Sequence, residues 1–109
     1  MTRERIAEAK ARLVASPAKP PFRLGRPGAV VCDQPTEITG GNDPRDVEYY
    51  GGHLVCESVI GATRELVKHA PGDLAMALDS LDRAWALVDD PGVHPADREK
   101  LRAALEGIT

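Results

Sequence analysis

Aromatic side chains are scarce in this chain, one Phe, one Trp and two Tyr making 4% of 109 residues. The core therefore has to be built from Leu, Val, Ile and Ala, and a stacking platform for nucleic-acid bases has few residues to draw on. Long apolar runs are missing as well. None approaches the roughly 18 residues of a membrane span, and the start MTRERIAEAKARLV lacks the apolar stretch of a signal peptide. The expectation is a cytoplasmic protein with no membrane partner. Only Cys32 and Cys56 carry thiols, which in a reducing compartment read as free cysteines rather than a bridge. No C-x-x-C or H-x3-H pair accompanies them, so the four ligands of a structural zinc site are not in view. The glycines of TGGNDP lack the Lys and Ser/Thr of a phosphate-binding loop. At this length one domain is expected, with room for a modest core and none for a deep enclosed active site.

Charge is unevenly spread. Residues 1–26 hold seven Lys/Arg against Glu4 and Glu8, a net +5, and the remainder holds seven basic against fifteen acidic residues, a net −8. A basic arm lying on an acidic body is the plain reading. An arm that neutralises phosphates is the sharper one, and the acidic body argues against nucleic acid as a partner.

Fold class reads as α+β. Apolar Ile6, Ala9, Leu13 and Val14 at helical spacing, with Thr2 as N-cap, predict a basic helix over residues 1–16. Four prolines and two glycines in SPAKPPFRLGRPG predict an extended linker over 17–28. A β region follows over 29–59. Ala29–Asp33 is a β-branched run bounded by Pro-Gly and Gln-Pro, and Thr36–Thr39 can pair with it. Asp43 is placed to cap a turn opened by Pro44. The pair Gly51-Gly52 signals a hairpin between strands at about 47–50 and 53–59; the rival is a short helix over Pro44–Tyr50 ended by Gly51, followed by a single strand. The remainder, 60–108, reads as two to three helices packed on the β element. One stops near Ala70 because Pro71 disfavours helix before it. The next carries Leu74, Leu78, Leu81, Trp85 and Val88 on one stripe. The last opens at Pro95 behind His94 and buries Leu101, Ala104, Leu105 and Ile108.

The richest stretch for chemistry is YYGGHLVCESV, Tyr49–Val59. Strand alternation places His53, Val55, Glu57 and Val59 on one face and Leu54, Cys56 and Ser58 on the other. This parity separates His53 from Cys56, which speaks against zinc and against a Cys-His nucleophile, with Cys32 and His69 as the other conceivable members. His53 and Glu57 would stand roughly 13 Å apart along the strand, too far for an acid/base couple. Asp43, Asp46 and Glu48 could offer carboxylate oxygens to a hard cation, but loop capping and solvation explain them without a metal. No catalytic residue and no metal or cofactor is assigned. Tyr49 and Tyr50 point to opposite sides if they lie on a strand, so one can pack inward while the other is presented to a partner.

The segment Tyr49–Leu81, about a third of the chain, resembles small accessory proteins of phages and actinobacterial prophages. The resemblance rests on Tyr49, Tyr50, Gly51, Gly52, Glu57, Ser58, Thr63, Arg64, Leu66, Ala70, Pro71, Leu74, Ala77 and Leu78. Lys68, His69 and Gly72 depart from that pattern. It implies an accessory protein in the host cytoplasm, encoded outside the structural and replication genes, and it supplies no catalytic residues. Two functions are carried forward. The first is a non-enzymatic, homo-oligomeric protein acting by contact with a host or phage protein or with itself. The alternative is a small-ligand or nucleotide binder that counteracts host defence through Arg64, His53 and Tyr50. Across both, the interface or ligand candidates are Tyr49, Tyr50, His53, Glu57 and Arg64.

Overall fold

A computed structural model describes residues 1–37 and 42–108. It is an α+β structure with element order α1 (Arg3–Ala15), β1 (Arg23–Leu24), β2 (Val30–Cys32), α2 (Pro44–Tyr50), β3 (His53–Cys56), α3 (Gly61–Val88) and α4 (Pro95–Glu106). By packing the chain forms two compact units, Met1–Leu13 with Leu74–Thr109, and Val14–Asp73. Among the described residues no helix is long and apolar enough to cross a membrane.

The first unit is helical. Thr2 caps α1 as the sequence suggests, its hydroxyl accepting from the Arg5 amide at 3.2 Å. Ile6 and Ala9 of α1 are buried with Leu78, Trp85 and Val88 of α3 and Leu105 of α4, and Leu13, Leu81 and Leu101 pack against that cluster. Other stripe members are not covered: Val14 is 75% and Leu74 45% exposed, and Ala104 and Ile108 are also exposed. The Trp85 indole N–H donates to the Met1 carbonyl at 3.0 Å, and the Arg3 guanidinium lies over the Trp85 ring at 4.8 Å. Two of the four basic residues of α1 are paired inside this unit. Arg3 pairs with Asp89, and Lys10 lies between Asp82 and Asp79, 2.9 Å from the latter. Hydrogen bonds to Asp82 and Asp79 raise the Lys10 pKa, and the bond from Lys10 lowers that of Asp79. His94 caps α4 by accepting from the Ala96 amide at 3.1 Å, with Pro95 at the first helical position.

The second unit holds a three-stranded antiparallel sheet of order β1-β2-β3. Five sequence readings are corrected here. Residues 17–28 are not all linker, because Arg23 and Leu24 pair with Val31 and Val30 as an edge strand. The hairpin over 47–59 is absent, and the rival helix forms instead. Asp43 caps α2 by accepting from the Arg45 amide at 2.8 Å, Pro44 opens it, and Gly51 closes it in the left-handed conformation, φ 83°. A type I′ turn needs positive φ at both glycines, and Gly52 is not in that region. Thr36 and Glu37 are not strand, and the rest of the expected Thr36–Thr39 strand, Ile38 and Thr39, lies outside the described residues.

The fourth correction concerns Pro71, which does not end a helix: α3 runs unbroken for 28 residues with Pro71 inside it. The residue before proline is disfavoured in helix, not barred from it. The cost of about 3 kcal/mol, to which Gly72 adds about 1, is offset by helix formers a little further off, Leu66 and Lys68 before it and Leu74, Ala75 and Met76 after it, and by burial of Leu78, Trp85 and Val88 further along.

Strand parity is broken as well. Leu54 pairs with Val31 and Cys56 with Val30, so Val55 is an extra residue, a β-bulge. His53 faces Cys32 across the ladder. Since Val30 and Cys32 share one face of β2, His53 and Cys56 fall on the same face rather than on opposite ones. The other face carries Ala29, Val31 and Leu54, the small core of this unit, with Tyr50 packed against it.

Candidate functional site

Four of the five sequence candidates, all but His53, meet around one tight turn, residues 25–29, set between the end of α2 and the start of α3. The turn closes on itself through the Ala29 amide to the Arg26 carbonyl at 2.8 Å. The Arg26 amide then donates to the Tyr50 carbonyl at 2.9 Å, which docks the turn on the end of α2. Gly25 permits that approach: a Cβ there would stand 2.1 Å from the Tyr50 carbonyl oxygen. Arg64, in the first turn of α3, reaches back to the same turn. Its Nε donates to the Ala29 carbonyl at 3.1 Å, and its Nη2 to the carbonyls of Gly25 at 2.8 Å and Arg26 at 3.0 Å. Arg64 is thus a backbone clamp, its fork of donors suited to several carbonyls at once.

On the outside of this turn a chain of side-chain contacts runs from one charge to another. The Arg26 guanidinium stacks over the Tyr49 ring, 4.0 Å from its centroid. Tyr49 meets Tyr50 edge to face, centroids 4.9 Å apart at 88°. The Tyr50 hydroxyl donates to Glu57 Oε2 at 3.0 Å, a bond that raises the Tyr50 pKa. Tyr49 remains 53% exposed. The helix delivers both tyrosines to one side through their mutual contact, where strand alternation would have parted them.

His53 is turned elsewhere. Its Nδ1 lies 3.0 Å from Asn42 Oδ1, which also accepts from the Thr36 amide at 2.9 Å, while the Thr36 hydroxyl donates to the Leu54 carbonyl at 2.6 Å. Cys32, His53 and Asn42 are the residue types of a thiol hydrolase. Here, however, Cys32 is fully buried and its thiol donates to the Gln34 carbonyl at 3.2 Å. Burial pushes the Cys56 thiol up, which disfavours the thiolate a nucleophile or metal ligand needs. Both cysteines are free. Among the described residues no group of three or more His, Cys, Asp or Glu is placed to hold a metal. Asp43 is used as a helix cap, and His69 lies 3.6 Å from Glu65 on the surface of α3.

Of the five sequence candidates, the structure joins Tyr49, Tyr50 and Glu57, sets Arg64 beneath them on the backbone of the same turn, and assigns His53 to Asn42. The residue missed is Arg26, which sits in a stretch read as linker. Its only local signal is Gly25, a small residue where two backbones cross. In the helical unit a polar cleft of about 300 Å3 is lined by Thr2, Arg3, Glu4, Trp85, Asp89, Arg102 and Glu106, with Arg3 and Asp89 already paired inside it. Compared with known protein families, characterised proteins and solved structures, the chain matches none.

Proposed function

We propose that this chain is a non-enzymatic binding protein that works by protein–protein contact, as an accessory protein of a phage or prophage in the host cytoplasm. The observation that supports this reading is the exposed Tyr49 ring, held between the Arg26 guanidinium and the Tyr50 edge. Tyr and Arg supply large contact areas in protein interfaces, and a ring already fixed by its neighbours loses little rotamer freedom on binding. The resemblance of Tyr49–Leu81 to phage and prophage accessory proteins gives the biological setting. The ligand-binding alternative gains no support, because Arg64 donates to three carbonyls, His53 pairs with Asn42 and Tyr50 binds Glu57.

Affinity capture from an actinobacterial lysate tests the reading with three tagged chains: wild type, Tyr49→Ala and His53→Ala. The expected result is a protein retained by wild type and His53→Ala and lost with Tyr49→Ala. Equal retention by all three chains, or retention by none together with no self-association of the wild type, refutes it.

A further inference from the structure

The contact chain on the second unit has a property that names its occupant. It begins in a cation, Arg26, and ends in an anion, Glu57, with two tyrosines between. Both end residues are exposed, and among the described residues neither takes part in an ion pair, with each other or with a third group. The backbone beneath is tied down by hydrogen bonds. Arg26 is docked on Tyr50 and clamped by Arg64, and the Val59 amide donates to the Gly28 carbonyl at 3.1 Å, which ties the segment after Glu57 to the same turn. Just beyond it Ile60 stands 77% exposed.

A surface with opposite charges at its two ends is complementary to itself when turned over. A two-fold axis through the tyrosines sets Arg26 against Glu57 of the partner subunit, repeats that pair on the other side, and stacks tyrosine on tyrosine at the centre. That is the requirement of an isologous interface, in which residue i meets j and j meets i. A wholly acidic partner would leave Glu57 facing like charge, and a wholly basic one would do the same to Arg26. We propose that the occupant of this surface is a second copy of the chain, and that the protein is a two-fold dimer joined through Arg26, Tyr49, Tyr50 and Glu57. This rests on the reading of the surface as a protein-binding one and names its first partner.

Sedimentation velocity on the purified full chain tests it with two charge reversals. The Arg26→Glu chain is acidic at both ends of the row, and the Glu57→Arg chain is basic at both. Wild type is expected to show a reversible monomer–dimer equilibrium in the micromolar range, and each variant alone a dissociation constant at least about tenfold weaker. An equimolar mixture of the two variants is expected to dimerise within about threefold of wild type, since each end of one then meets its opposite on the other. Recovery on mixing excludes misfolding as the cause of the single defects. Three results overturn the inference: a monomeric wild type, variants that dimerise like wild type, or a mixture no better than its components. A monomeric wild type whose Tyr49 still captures a lysate protein would remove the dimer and leave the binding reading standing.

Discussion

Removal of the Arg64 clamp is the perturbation whose size the structure fixes best. Three hydrogen bonds run from this guanidinium to the carbonyls of Gly25, Arg26 and Ala29. The carbonyls of Arg26 and Ala29 keep a second donor within the turn, from the Ala29 and Gly25 amides at 2.8 and 3.3 Å. A hydrogen bond to a charged group contributes about 1.5–3 kcal/mol, and partial exposure lets water replace part of it, so about 1 kcal/mol per bond is a fair working value. Arg64→Met keeps the apolar stem and removes every donor, and it is expected to cost about 2–3 kcal/mol. Arg64→Lys keeps the charge but loses the fork, and should fall about midway. Urea unfolding, with the slope m checked for constancy, gives the global values. Hydrogen exchange at the Arg26 and Ala29 amides gives the local ones, and both should lose protection in Arg64→Met. A loss below about 0.5 kcal/mol in Arg64→Met, or a lysine variant equal to wild type, would refute the clamp.

Three further outcomes follow from the same packing. Gly25→Ala places a methyl 2.1 Å from the Tyr50 carbonyl oxygen and 2.9 Å from Val31 Cγ1, and overpacking of backbone should cost about 3 kcal/mol or more in the same urea assay; a change below about 1 kcal/mol would mean that the turn does not close on α2. Pro71→Ala restores an amide donor inside α3 and is expected to stabilise by about 1–3 kcal/mol, whereas destabilisation would show that the helix is not continuous there. In a Tyr49→Phe background, ultraviolet titration should find Tyr50 ionising above the ordinary tyrosine range, chiefly because of its hydrogen bond to Glu57; Glu57→Gln should bring it down. Because the folded value is raised, the stability this bond contributes is present below about pH 10 and is lost as pH climbs through the folded value.

What the sequence discloses is local. Thr2, Asp43 with Pro44, and His94 with Pro95 announce helix starts within three residues of themselves, and all three caps form. Leu78, Trp85 and Val88 repeat at helical spacing and are buried. The bulge at Val55 is different in kind. It depends on which residue of β2 stands opposite, and it reverses the face on which Cys56 lies. Pro71 departs from its local expectation for a related reason, since the local penalty is real and is outweighed by packing further along α3. Gly51-Gly52 fits a hairpin and a helix C-cap equally well until Asp43 and Pro44 are counted as a helix start.

The candidate surface is only partly legible: Tyr49, Tyr50 and Glu57 lie in one stretch of the sequence, but nothing in their spacing joins them to Arg26. Composition even hides Arg26 among prolines and glycines, in a stretch that reads as linker. Yet the same composition makes the juxtaposition possible: only a residue without Cβ at position 25 lets the chain pass against the Tyr50 carbonyl, and that passage sets the Arg26 guanidinium over Tyr49. The basic stretch 1–26 therefore does two separate things. Arg3 and Lys10 neutralise Asp89, Asp79 and Asp82 within the helical unit, while Arg26, stacked on Tyr49, has no anion partner among the described residues. Part of the charge asymmetry is thus spent on internal ion pairs, and the Arg26 guanidinium stacked on Tyr49 has a matching carboxylate, Glu57, at the far end of its own row.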